Sequence, residues 1–134
     1  MMLLGINLAP VAVAAIASMA VGMTWFSKSC FGPAFIKESN LSASDMPKSM
    51  GRIFAIAFVN ALVTAYVLAL FIALLGVSGW QGGAQVAGWV WFGFVATGAV
   101  SAVLWARKSM KWFWIHAGHD LVMYVLMGAI IAAW

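Results

Sequence analysis

Acidic side chains are almost missing from this chain: Glu38, Asp45 and Asp120 are the only three among 134 residues. Charged residues of both signs make up 7% and hydrophobic residues 66%, far from the balance of an ordinary soluble domain. A water-soluble globule is excluded, and the composition implies an integral membrane protein whose first partner is the lipid bilayer. Cysteine is as scarce. Cys30 stands alone, so no intrachain disulfide forms, and one thiol near a predicted cytoplasmic boundary reads as reduced. The length allows one domain and no separate soluble catalytic unit. No set of nucleophile, base and oxyanion donor can be assembled, so neither an enzyme nor a cofactor is expected. The formal charge of +4 does not point to nucleic acid, because the basic residues sit in or beside two short loops rather than along one face.

What is present is four long apolar runs. Roughly 20 apolar residues cross a bilayer as a helix, and the runs predict an all-α bundle with spans at about 3–26, 51–76, 84–105 and 112–134. The first has no basic start and an apolar core too long for a signal peptide, so it reads as retained. Ala14, Ser18 and Gly22, four apart along it, form a small-residue stripe that lets another helix come close. Residues 28–50 make a polar elbow. Gly32-Pro33 breaks the helix there, and Phe35, Ile36 and Leu41 are expected at the membrane surface with Lys37 and Glu38 facing water. Ser42, Ser44 and Asp45 offer capping groups before the second span. A glycine-rich turn around Trp80 separates spans two and three.

Every Lys and Arg lies between spans one and two (Lys28, Lys37, Lys48, Arg52) or between spans three and four (Arg107, Lys108, Lys111). Loops rich in basic residues stay cytoplasmic, so both termini are expected outside, in a bacterial inner membrane. Trp25, Trp105, Trp112 and Trp114 then fall at the cytoplasmic boundary, with Trp80 and Trp134 at the outer one, as amphipathic rings prefer. The span ends Trp25-Phe26-Ser27-Lys28-Ser29 and Trp105-Ala106-Arg107-Lys108-Ser109 are alike, and both halves start and finish outside. This fits a repeat of two parallel hairpins.

Several strings together resemble one family. They are the span end from Trp25 to Phe31, Ser44-Asp45-Met46 with Met50-Gly51, Val63-Thr64-Ala65-Tyr66-Val67-Leu68-Ala69, Gly93-Phe94-Val95-Ala96-Thr97, Ala117-Gly118, and Met127-Gly128-Ala129-Ile130. In combination, and over nearly the whole chain, they resemble the small membrane proteins grouped as domain of unknown function 1761. The resemblance implies a compact four-span helical protein and brings no activity, cofactor or catalytic residue.

The chemistry-bearing residues lie within the spans. An acid at the centre of a membrane helix costs about 2.5–3.5 kcal/mol on insertion scales, so it is usually paired, hydrated or functional. Asp120 is that residue here. His116 and Asp120 are four apart and His119 is three from His116, so all three share one helix face, continued by Met123 and Met127. Ser18, Asn60, Thr97 and Asp120 lie at one depth when counted from the basic ends of their spans, which predicts a polar layer with one member per helix. Three readings compete. In the first, Asp120 accepts hydrogen bonds from a histidine, Asn60 or Thr97 and fixes packing, which makes the protein a scaffold or accessory subunit, a homo-oligomer or part of a larger membrane complex. In the second, His116, His119 and Asp120 form a proton relay or cation site. In the third, His116, His119, Asp120 and Met123, with Met19, Met23 and Met127 nearby, hold a soft metal or a haem. The third is disfavoured, since both histidines lie on one helix and methionine is common packing material.

Overall fold

The computed structural model describes residues 2–27, 29–39 and 49–134. The chain opens with a small hairpin in which Met2–Leu3 pairs antiparallel with Ile6–Asn7. Leu4 and Gly5 turn it with φ of 49° and 80°, the positive values that a two-residue turn needs to match strand twist. Asn7 then caps helix α1 (Leu8–Trp25), its side chain accepting from the Ala9 N–H at 3.0 Å. The hairpin and this cap start the helix at Leu8, where hydropathy alone placed the span from residue 3. A short helix α2 (Gly32–Glu38) follows, with Pro33 in its first turn. Helix α3 (Met50–Leu75) is capped by Ser49 and closed by Gly76 in the left-handed conformation, φ 66°. The capping groups expected at Ser42, Ser44 and Asp45 lie outside the described residues.

The third span is one helix in three parts: α4 (Trp80–Val90), a π-helical stretch (Trp91–Ala96) and α5 (Thr97–Trp105). It begins at Trp80, inside the expected turn, because Gly79 (φ 82°) reverses the chain and donates its N–H to Ala132 O at 3.0 Å. Helix α6 (Met110–Ala133) completes the set. Four helices, Trp80–Trp105 counted as one, are long and apolar enough to cross a membrane. The expected all-α architecture of four spans is what the chain adopts.

Helix α6 is the centre, packed against α4 and α1 and, less extensively, α3, which also lies along α1. The core is built from small residues. Ala14 and Ala15 of α1, Ala65 of α3 and Ala87 of α4 are fully buried, with Leu68 and Met127 the largest side chains enclosed. Helices in lipid gain little from apolar burial against each other, so close backbone contact must replace it. Gly83 and Gly128 supply the closest: a Cβ on either would overlap the other's carbonyl oxygen, and one on Gly128 would sit 2.7 Å from Ala87 Cβ. Large apolar side chains such as Val59, Trp89, Phe94 and Leu104 point outward, as a lipid-facing surface requires.

This contact is testable. Gly128→Leu should drive α4 and α6 apart and lower stability by about 1–3 kcal/mol or more, as overpacking does. Gly88→Ala, with open space around it, should leave stability unchanged or slightly raised. Reversible unfolding of both variants in mixed micelles would show the contrast.

Candidate intramembrane polar site

Helix α6 is fixed at one end by Ser109, whose Oγ accepts from the Trp112 N–H at 3.0 Å and donates to Glu38 Oε2 at 2.5 Å. Lys108 Nζ reaches Ser39 O at 3.4 Å and lies 5.9 Å from the centre of the Trp112 ring. Glu38 therefore turns back onto the bundle instead of facing water as expected. The reason is the exposed N-terminus of α6, whose free N–H groups and partial positive charge favour a carboxylate nearby. Phe35 is also drawn inward, edge-on to Phe26 at 4.8 Å between centroids.

Two indole N–H groups then grip α6 from opposite neighbours. Trp25 Nε1 donates to Ile115 O at 3.0 Å, and Trp91 Nε1 donates to Ala117 O at 2.9 Å. Both carbonyls flank His116. Trp25 and Trp112, expected in the boundary belt, also pack inward: Trp25 is half-buried with its N–H turned inward, and Trp112 is buried and stacked on His116 at 4.9 Å and 14°. Trp105, Trp114, Trp80 and Trp134 are exposed, as belt residues are. A tryptophan's partner is set by its facing helix, and apolar runs carry no mark of it.

Between the two grips stand the three residues singled out from the sequence. Asp120 Oδ1 lies 3.0 Å from His119 Nδ1, and Oδ2 lies 3.5 Å from His116 Nε2. One carboxylate thus joins two imidazoles, each by a different oxygen. With the proton of His119 on Nδ1, as this contact favours, Nε2 is left as an acceptor. That Nε2 is buried without a hydrogen-bond partner. It lies against Gly22, whose missing side chain makes the space: a Cβ there would stand 3.4 Å away. The small-residue stripe of α1 therefore serves the site, with Ala14 and Ser18 buried and Gly22 facing His119. His116 is more open, its side chain 38% exposed against 13% for His119 and 15% for Asp120.

His119 and Asp120 line a cavity of about 560 Å³ between α1, α3 and α6, together with Ser18, Asn60 and Thr64. Three of the four residues predicted to share a layer, Ser18, Asn60 and Asp120, thus meet. Thr97 does not. It is exposed, and its hydroxyl donates to Gly93 O at 2.9 Å on its own span. Ser18 Oγ donates to Ala15 O at 2.7 Å and Thr64 Oγ1 to Asn60 O at 3.1 Å, so both hydroxyl protons are used within their helices. The expected bonds from Asp120 to Asn60 or Thr97 are not formed. Met123 lines the cavity, while Met127 is enclosed in the core. Among the described residues, no group of three or more His, Cys, Asp or Glu side chains could hold a metal ion.

The chain matches the family described as Protein of unknown function (DUF1761) over residues 9–132. It belongs to that family. No curated protein and no solved structure matches it. For DUF1761 the four-span helical architecture is therefore the property to reason from, and chemistry must be argued from this chain's own residues.

Removing one indole N–H leaves the helix carbonyl its backbone donor, so the loss should be small but measurable. Trp25→Phe and Trp91→Phe should each lower unfolding free energy by about 0.5–1.5 kcal/mol. Exposed Trp105→Phe should change it little, and micellar unfolding curves would show the difference.

Proposed function

We propose that this DUF1761 protein exchanges protons or cations through the imidazole–carboxylate–imidazole set of His116, Asp120 and His119. The observation that carries the reading is the division of Asp120: each oxygen faces a histidine on its own helix. A network serving only to fix packing would bond Asp120 to a neighbouring helix, whereas both of its contacts are with histidines of α6. Histidine changes charge between pH 5 and 8, and a carboxylate between two imidazoles can pass a proton from one to the other. The half-open His116 stands on the side of the basic loop, and Asp120 lies one turn deeper, facing the cavity.

In this reading both termini lie outside a bacterial inner membrane, the basic loops face the cytoplasm, and the two halves form parallel hairpins. Asp120→Asn keeps shape and hydrogen bonding but cannot carry the charge. It should abolish flux driven by a pH gradient in liposomes while the protein elutes and unfolds as the wild type does. Equal flux in the two proteins would sink the proposal.

A second reading, a scaffold or accessory subunit that is completed by a partner chain or another copy, is favoured by Asn60. It is exposed on α3, and its amide makes no hydrogen bond within the described residues. An exposed amide without a partner on a membrane helix can drive helix association. With Cys30→Ser as background, Asn60→Cys should then form a cross-linked dimer in membranes, and Val59→Cys on the neighbouring face should do so less.

A further inference from the structure

Building on the exchange reading, we infer that the cavity between α1, α3 and α6 binds a lipophilic organic cation, with Asp120 as its counter-charge. The cavity's size is the first argument. At about 560 Å³ it is far larger than any inorganic ion and within the roughly 300–1,000 Å³ of small-molecule sites. Its wall is the second. Met19, Met23 and Met123 line it with Phe26 and Phe54, giving polarisable, adaptable thioethers and aromatic faces that attract cations. A small hydrated ion needs a cage of oxygens, and here the wall is mostly carbon and sulfur.

Charge is the third argument. Among the described residues Asp120 is the single acid on the cavity. A carboxylate has about four lone-pair sites, of which the two imidazoles occupy two. Asn60, whose amide has no partner in the described chain, supplies a second polar contact on the facing helix. Among the described residues the titratable groups around Asp120 are His116, His119 and, one turn on, Tyr124, all on α6; the cavity faces of α1 and α3 contribute none. A second groove of about 610 Å³, lined by Leu8, Val11, Leu62 and Val63 towards the other end of α1 and α3, has no acid among its described lining residues and serves as the comparison. Lipid tails suit that groove. The acid at the first selects a cation, and protons on His116, His119 or Asp120 oppose it.

The probe is tetraphenylphosphonium, tested against the full chain in detergent by equilibrium dialysis. Saturable binding near one per chain is expected. Asp120→Asn should weaken it at least about tenfold, the scale of losing a charged partner at a desolvated site. Phe54→Ala, a change at a side chain 42% exposed and so without demand on the fold, should weaken it several-fold, and neutral triphenylphosphine oxide should bind far more weakly than the cation. Absence of saturable binding, or equal binding by wild type and Asp120→Asn, overturns the inference. Because binding needs no flux, proton flux without phosphonium binding removes only the cation, and binding without flux removes only the relay.

Discussion

Two indole N–H groups hold the central helix at neighbouring carbonyls, and the placing of His116, His119 and Asp120 depends on that grip. Trp25 reaches Ile115 O from α1, and Trp91 reaches Ala117 O from the π-helical stretch. Inside a bilayer no water competes for these donors, so each has one good partner and the helix cannot rotate without losing both. Rotation by one residue, about 100°, would carry His119 away from Gly22 and Asp120 out of the cavity. The π stretch is part of the same device. Its wider turn shifts the phase of the third span, placing Trp91 against α6 while Thr97 faces outward.

This explains what was legible in the sequence and what was not. Hydropathy marked four spans, since length and apolar content are what membrane crossing demands. Spacing put His116, His119 and Asp120 on one face, since 3.6-residue periodicity holds in a regular helix. Ser18, Asn60 and Asp120 were brought together by depth. Thr97 was not, because depth fixes a residue's height and not the direction in which it points, and a π turn changes that direction with no clear sign in the sequence. Glu38 was expected to face water for a different reason. Its partner, Ser109, is far along the chain, and only the docking of α2 against the start of α6 brings them within 2.5 Å.

The energetics of Asp120 favour the proposed chemical role over a packing one. Placing an acid at mid-membrane costs about 2.5–3.5 kcal/mol, while polar contacts between membrane helices average near 0.6 kcal/mol. A contact made for packing would recover little of that cost, and here Asp120's hydrogen-bond-range contacts are with its own helix. The two imidazoles soften the penalty and, in the proposed exchange, give the charge somewhere to go. A proton shared among His116, Asp120 and His119 and a cation held in the cavity would use the same negative charge. By linkage, each must weaken the binding of the other by the same factor. Exchange of one for the other then follows from a single carboxylate with two kinds of neighbour: histidines on its own helix and an apolar cavity in front of it.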